Sequence, residues 1–581
     1  MPAKPSGEIK TSTIRRRQKN GDIYILERKT IYDPEKRYNK VLSTKLLSKI
    51  PKGSDTPVAT RPKRSKNTES EQKNEYLTAS RSHTGMMDII SHIGTVSGID
   101  DAVYAATDRG TAQKIISLAR YLLATNGQSL PGIQTWQYNH PLPYEDGITE
   151  DIYHKLFNQI GVDESFQQSF FKSRCDSLSA DDALAYDSST ISTYSENLPD
   201  ARYGFNKADD GLKTVKLLTL YSIEKRQPVA FTKQPGNLPD VTSIVNAINQ
   251  LKALGVNTTE IITDNGYYSE DNISALLQAG FDFITLAKTS IRWIRTEIDK
   301  KMEELNDFRS LCPFDQSTRG VSACVMHDFT RIRKYANHKS GAEKGTEETF
   351  SRRIYINIYF NHARQASDKA AFDADLYELK TMVESGTPLA SLPDAVQKKF
   401  NKYFTLKKRG NRITAVPDNK AITDANRYHG YFVLISNKEK DPFECLRKYR
   451  KRETIESFFE AEKQKADGTR TRVWNSDTLR GRMFVQFIAL CYYEYYSEEI
   501  RKLKCSLGKE TGDKEHDAKE NLKKELNLKS WLSNTPLYLQ LQWFDTVENI
   551  NVSVKLKNKR WSSEITARDA LFLEKLGVSL T

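Results

Sequence analysis

Four side chains of one stretch, Tyr449, Arg452, Glu456 and Lys463, fall within an arc of about 60° if the stretch is helical at about 100° per residue. A carboxylate with a guanidinium, an ammonium and a phenol on one face suits a phosphodiester, whose oxygens take charge-assisted hydrogen bonds. Taken singly, such residues in a chain rich in Lys and Glu are most simply a solvated helix face. Two upstream aspartates stand beside β-branched runs: Asp187 in Ala185-Tyr-Asp-Ser-Ser-Thr190 and Asp264 in Ile261-Ile-Thr-Asp-Asn-Gly-Tyr267. Alone, the first reads as a strand-end cap and the second as a turn.

The elements that must position these residues can be read around them. Asp441 stands at a helix cap, Pro442 at the first helical position and Glu444 three residues after the cap, and the helix is predicted to run to about Ala466. Ile455, Phe458 and Phe459 make an apolar stripe beside the polar face that can dock the helix on a sheet. Upstream, 183–194, 214–223 and 227–233 read as strands. Asp240 is predicted to cap a helix over 241–254 that ends at Gly255. Residues 259–263 form a short strand stopping at Asp264, Ser269 caps a helix ending at Gly280, and 281–288 is a further strand. One more apolar strand, 430–436, directly precedes the capped helix. The order β-β-β-α-β-α-β is that of the ribonuclease H-like α/β fold, a mixed sheet that presents carboxylates from strand ends, although other α/β domains share parts of it.

Tyr449-x-x-Arg452-x-x-x-Glu456-x6-Lys463 resembles the Y-R-E-K signature of bacterial insertion-sequence transposases of the DDE type. Ile455-Glu456 with Phe459 resembles the Ile-Glu-x-x-Phe common there, Asp187 with Thr190 the first-strand motif, and Asp264-x-Gly266-Tyr267 the Asp-x-Gly-Tyr/Phe motif ending the fourth strand. Gly204-Phe-Asn-Lys-Ala-Asp, Pro228-Val-Ala, Gly236-Asn237 with Asp240, and Gly430-Tyr-Phe-Val-Leu-Ile-Ser look like family segments as well. The likeness covers about 180–290 and 429–495. It departs at Asn265, where relatives often carry Arg, and in the insertion before the last strand, which reads as partly helical here and is chiefly β in the family.

The resemblance implies that Asp187, Asp264 and Glu456 are catalytic and hold two Mg²⁺ ions, replaceable by Mn²⁺, about 3.5–4 Å apart across the scissile phosphate, with Asp187 bridging them. Carboxylate oxygens without His or Cys suit so hard an ion. It implies cleavage at the ends of an insertion sequence and attack of the freed 3′ hydroxyl on target DNA. It further implies that Tyr449, Arg452 and Lys463 hold end-proximal phosphates and that the DNA complex is a homodimer. Trp293, between Arg292 and Arg295, is the candidate for stacking on an extruded base, with a core position as its plainer reading. Two alternatives use the same carboxylates: a ribonuclease H-like nuclease or resolvase, and a catalytically inactive DNA-binding descendant of a transposase. Three mutually repelling carboxylates argue against the second.

The 581 residues are 38% hydrophobic and 28% charged, too many for one core and too apolar for general disorder. Of the net charge of +13, residues 1–66 contribute 18 basic and 6 acidic side chains, a net +12, which leaves +1 for the other 515. Such an arm, Arg15, Arg16 and Arg17 included, suits the phosphate backbone, because each cation that replaces a condensed counterion gains release entropy. It reads as a hairpin, 11–18 and 22–31, around Asn20-Gly21 with both at positive φ, then a third strand with Arg37, Tyr38 and Lys40 and a basic linker over 52–67. Residues 84–172 read as helical, 289–428 as an inserted α+β subdomain, and 501–529 as a solvated helix or loop. The predicted domains are therefore 1–66, 67–180, a core in two parts (181–288 and 429–505) around the insertion 289–428, and a charged, helical 506–581. The basic run Arg447 to Arg452 is expected to face DNA in part.

The longest apolar stretch, 484–490, is interrupted by Gln486 and falls far short of the roughly 18 residues of a membrane span. Nothing near Met1 resembles a secretory apolar region. The expectation is a cytoplasmic, nucleoid-associated bacterial protein with no membrane partner. Six scattered cysteines without C-x-x-C argue against zinc knuckles and disulfides, and nine histidines without H-x-x-x-H or H-E-x-x-H spacing argue against a histidine-built metal site.

Overall fold

The computed structural model describes residues 9–33, 38–58, 78–179, 181–204, 206, 210–257, 259–332, 343–409, 412–465, 470–471, 473, 475–509, 516–554, 557–562 and 565–580. The chain divides into two units, Met1–Leu77 and Thr78–Thr581. In the first, β1 (Ile9–Arg17), β2 (Ile23–Asp33) and β3 (Tyr38–Ile50) form an antiparallel sheet in that order. The hairpin differs from the predicted tight turn. Gln18 N–H donates to Asp22 O at 2.8 Å, Gly21 N–H to Gln18 O at 3.0 Å, and Gly21 alone of the pair takes positive φ, 91°. This is a three-residue loop with a glycine bulge, tied in that form by Asn20, whose Oδ1 accepts from the Asp22 amide at 3.2 Å. Arg15, Arg16 and Arg17 are exposed on β1. Arg37 and most of the expected basic linker lie outside the described residues.

The second unit opens with β4 (Thr78–His83) and helices α1 (Gly85–Val96), α2 (Ile99–Ala106), α3 (Arg109–Ala124), α4 (Ile133–Trp136), α5 (Glu150–Val162) and α6 (Glu164–Asp176). On α3 Ile115, Leu118, Ala119 and Leu122, which recur at helical spacing, are all buried. Next come β5 (Ala183–Thr193), β6 (Lys213–Ser222), β7 (Gln227–Pro235), α7 (Ile244–Ala253), β8 (Glu260–Thr263), α8 (Glu270–Ala279) and β9 (Asp282–Ala287). Ser269 caps α8 as expected, accepting from Asn272 N–H at 3.1 Å. Asp240 does not cap α7: a short 3₁₀ turn, Asp240–Ser243, intervenes, and the Asp240 carboxylate is taken by the Lys216 ammonium instead.

The segment that follows runs α9 (Arg292–Lys301), β10 (Leu311–Cys312), β11 (Asp315–Ile332), β12 (Glu347–Asn361), α10 (His362–Glu384), α11 (Asp394–Tyr403), β13 (Phe404–Arg409), β14 (Arg412–Pro417) and α12 (Asn419–Asn426). Expected as a separate subdomain, it splits. The alternating strand 354–360 belongs to β12, whose Ile354, Ile356 and Ile358 are buried, and β12 pairs with β15 (Tyr431–Ser436) in the main sheet. α10, α11, the β13–β14 hairpin and α12 gather a core of their own, around Leu376, Leu379, Val383, Phe400 and Phe404 with Ile422 of α12 against it.

The resulting sheet has the order β10-β11-β12-β15-β9-β8-β5-β6-β7, with the two-residue β16 (Arg470–Thr471) alongside β5. β5, β8 and β9 run parallel, β16 also lies parallel to β5, and β6 and β15 pair antiparallel with β5 and β9. After β15 come α13 (Pro442–Lys451), α14 (Glu453–Lys465) and α15 (Ser476–Ser506). From Met483 to Tyr492 every residue of α15 is buried, as befits a helix apolar on all sides. It ties the leading helices to the sheet: Phe166, Phe170 and Phe171 of α6 pack edge-on against Phe484, and Phe231 of β7 meets Phe487. The helical region and the sheet therefore share one core. The chain ends with α16 (His516–Asn534), α17 (Leu537–Trp543), the hairpin β17 (Glu548–Val554) and β18 (Lys557–Ser562), and α18 (Ala567–Leu576). β17 pairs with β4, so the two ends of this unit meet. Among the described residues no helix is long and apolar enough to cross a membrane.

Candidate active site

Asp187 stands in the middle of β5, the one position of that strand that is not fully buried. β5 lies parallel to β8, and the register pairs Tyr186 with Thr263. Asp187 and Asp264 are thus each the next residue after a matched pair on neighbouring strands, which places both on the lining of one cleft where β8 stops. Asp264 starts a 3₁₀ turn, its Oδ1 accepting from Asn265 N–H at 2.7 Å. Glu456 reaches the same place from α14, which is fixed to the sheet by buried Ile455, Phe458, Phe459 and Ala461. The Phe458 ring sits 5.7 Å from Tyr221 of β6.

The single helix expected over 442–466 is in fact two. Arg452 N–H donates to Tyr449 O and Ile455 N–H to Arg452 O, at 3.0 and 2.9 Å, bonds of the tight i→i−3 kind. The Thr454 hydroxyl takes the Lys451 carbonyl at 2.8 Å. The break leaves Tyr449 on α13 and Glu456 on α14, with Arg452 at the joint. The convergence survives: Arg452 Nη1 is 3.2 Å from Asp187 Oδ2, its Nη2 is 2.9 Å from Glu456 Oε1, and the Tyr449 hydroxyl donates to Asp264 Oδ1 at 3.1 Å. Burial works against the Arg452 charge, but the fields of Tyr449, Asp187, Asp264 and Glu456 outweigh it and raise its pKa. Burial likewise pushes the Tyr449 phenol up, with Arg452 opposing and Asp264 reinforcing. The side chain of Lys463 lies outside the described residues.

The three carboxylates line one cleft of about 480 Å³, with Ser188, Thr190, Lys216, Asp240, Tyr267, Phe459 and Glu460 among its walls. Sequence reasoning missed much of this lining. Lys216 Nζ donates at 2.7 Å to both Asp240 Oδ1 and Leu238 O, and the Ser188 hydroxyl to Asp240 Oδ1 at 3.1 Å. The signal was present: a lysine inside an apolar strand is costly unless paired. Tyr267, read only as a motif letter, directs its hydroxyl to Asp187 Oδ1 at 3.4 Å.

Other expectations are redirected. Every cation of the run 447–452 is paired within the chain: Arg447 with Glu444, Lys448 with Glu260 and Glu439, Arg450 with Asp315, Lys451 with Glu224, and Arg452 as above. A helix turns its cations in all directions, and each met an acidic neighbour. Trp293 is half-buried with its ring on that of His327, centroids 4.2 Å apart, so that face is already covered. The carboxylate cleft, by contrast, fits divalent cations. Its carboxylate atoms are hard oxygens, among the described residues no His or Cys lines it, and the chain places its own cation, Arg452, between two of the acids.

The family model of the transposase DDE domain matches residues 178–492, which span β5 through most of α15. The chain belongs to the transposase DDE domain family. The transposase domain thus contains all three carboxylates, the cleft and the strands inserted before β15. No curated protein matches the chain. Among solved structures it is similar to a piggyBac transposase in a synaptic complex with hairpin DNA, at 12% identity and a TM-score of 0.33, over 79% of this chain and 78% of that one; so faint a similarity carries no weight here.

Proposed function

We propose that the chain is a DNA transposase of the bacterial insertion-sequence, Y-R-E-K type, which cleaves the ends of its element and joins the 3′ hydroxyls to target DNA. The observation that carries this is the β5/β8 register, which sets Asp187 beside Asp264 in the cleft that Glu456 enters from α14. The strand order third-second-first-fourth-fifth, β7-β6-β5-β8-β9, supports a ribonuclease H-like core. Asp187, Asp264 and Glu456 would hold two Mg²⁺ or Mn²⁺ ions, which when bound polarise the scissile phosphate and favour the deprotonated attacking oxygen.

The chain's own groups do the rest. Arg452 and Tyr449 offer N–H and O–H donors to phosphate oxygens once these replace the carboxylates as their partners. Lys216, held by Asp240 and Leu238, keeps one wall of the cleft in place and adds a positive charge beside the path of the backbone. Phe459 and Tyr267 supply aromatic walls of the cleft. The exposed Arg15, Arg16 and Arg17 would grip DNA electrostatically, in a homodimer that holds two ends, acting on nucleoid DNA in the cytoplasm. The test is incubation of the purified chain with the DNA that flanks its coding region, plus Mg²⁺. Nicks and joined products that vanish in Asp187→Asn and Glu456→Gln, while DNA binding persists, support the reading. Products that survive both substitutions overturn it.

A further inference from the structure

Outside the carboxylate cleft, three segments remote in sequence bring two imidazoles and a carboxylate together. His83 ends β4, His140 follows α4, and Asp545 lies in the turn before β17. One donor atom from each lies within 4.8 Å of the others. The hydrogen-bond partners make this cluster unusual. His140 Nδ1 is 2.8 Å from the Trp136 carbonyl and its Nε2 is 2.8 Å from Asp545 Oδ1. His83 Nδ1 is 2.7 Å from the Asp545 carbonyl, and its Nε2 faces Glu548 Oε1 at 3.9 Å.

A neutral imidazole carries one N–H, and both ring nitrogens of His140 face acceptors, so one of them turns a lone pair toward an oxygen. His83 spends its Nδ1–H on the Asp545 carbonyl and leaves its Nε2 lone pair free of any hydrogen-bond donor, 3.9 Å from Glu548. The arrangement suits a cation beside His140 and Asp545, either a second proton on His140 or one metal ion shared by the two rings. Backbone carbonyls hold both Nδ1 atoms, the usual way in which a metal-ligating histidine has its tautomer fixed and its Nε2 presented. Stacked on Trp136 at 3.8 Å between centroids, the His140 side chain is only 9% exposed, so water is a poor competitor. The two imidazole rings are stacked with centroids 5.1 Å apart and planes at 24°, close enough that a turn of the His83 side chain brings its Nε2 to an ion held by His140 at roughly 2 Å per N–metal bond.

We propose that His83, His140 and Asp545 bind one divalent transition-metal ion of the zinc class, with Glu548 beside it, clasping the start of the second unit to its C-terminal hairpin. The ion is distinct from those of the carboxylate cleft in ligand type, because imidazole favours zinc-like ions over Mg²⁺. Glu548 is already held by Arg81 at 2.9 Å, which leaves Asp545 as the anionic ligand.

The experiment uses the full chain with Asp187→Asn and Glu456→Gln, so that the cleft does not compete. After chelator treatment, Zn²⁺ is titrated by calorimetry and Co²⁺ by visible absorption. One equivalent of each, a tetrahedral Co²⁺ band and a Zn²⁺-induced rise in Tm are expected. Asp545→Asn, which keeps an acceptor for His140, should weaken Zn²⁺ at least tenfold and lose the Tm rise, and His140→Gln should do the same. Absence of Zn²⁺ uptake, or uptake equal in both variants and parent, overturns the proposal and leaves the rings as proton-bearing partners of Asp545.

Discussion

The guanidinium of Arg452, 7% exposed, lies 3.2 Å from the Asp187 carboxylate, so the chain supplies a cation of its own to the acidic cleft. Removing it leaves Asp187, Asp264 and Glu456 facing one another unneutralised. Arg452→Ala should therefore destabilise the metal-free chain by about 3 kcal/mol, the lower end of the cost of breaking a buried pair, because Glu456 remains 60% exposed. Mg²⁺ should restore more Tm to the variant than to the parent. Equal Mg²⁺ effects in thermal unfolding would show that Arg452 and cations do not share the cleft.

Asp264→Asn keeps an oxygen for the Tyr449 hydroxyl but removes the charge at the end of β8. A loss of several kcal/mol of transition-state stabilisation corresponds to at least about a thousandfold in cleavage rate. The melting temperature should change little. A cleavage assay that retained more than a tenth of the parent rate would remove Asp264 from the triad.

Glu494 of α15 is buried against Tyr221, whose hydroxyl donates to it at 2.7 Å. Burial pushes its carboxyl up to about 7, with Tyr221 and Arg226 opposing and Glu498 reinforcing. The folded chain therefore keeps a proton that the unfolded chain releases above its ordinary value near 4.5. This contribution is complete below that value and is lost as pH rises through 7, on the order of 3 kcal/mol in all. Glu494→Gln should flatten this slope and be the more stable protein at pH 8. Parallel melting curves from pH 5 to 8 would contradict the assignment.

Gly161 and Gly481 mark where α5 crosses α15. A Cβ on Gly161 would lie 1.8 Å from Asp477 O, and one on Gly481 2.0 Å from Phe157 O. Backbone cannot yield as a side-chain tip can, so Gly481→Ala should cost about 1–3 kcal/mol or more, read as a lower urea midpoint at unchanged slope. A midpoint equal to the parent's would mean that the helices separate freely.

Arg15 and Arg17 point to one face of β1 and Arg16 to the other. If that face grips phosphates, replacing Arg15 and Arg17 by Ala should reduce the slope of log K against log[salt] by roughly 2, whatever the DNA sequence. An unchanged slope in a salt series would place the arm's contacts elsewhere.

Local chemistry was readable from the residues alone. Strand identities of β5 to β9, the Ser269 cap and the apolar stripe of Ile455, Phe458 and Phe459 follow from periodicity and capping, which act over a few residues, and the motif letters around Asp187, Asp264 and Glu456 come from the same short range. What tertiary structure decided depends on partners tens to hundreds of residues away. Register alone set Asp187 beside Asp264. Packing broke the helix at Arg452, and the run 447–452 was neutralised by Glu444 of the same helix and by acidic neighbours elsewhere in the chain. Lys216 and Asp240 were drawn together across a turn, β11 and β12 joined the main sheet, and His83 met His140 and Asp545. Spacing along a chain records which side chains share an element, whereas Coulomb and hydrogen-bond energies depend on distance in space, and only the folded chain sets that distance.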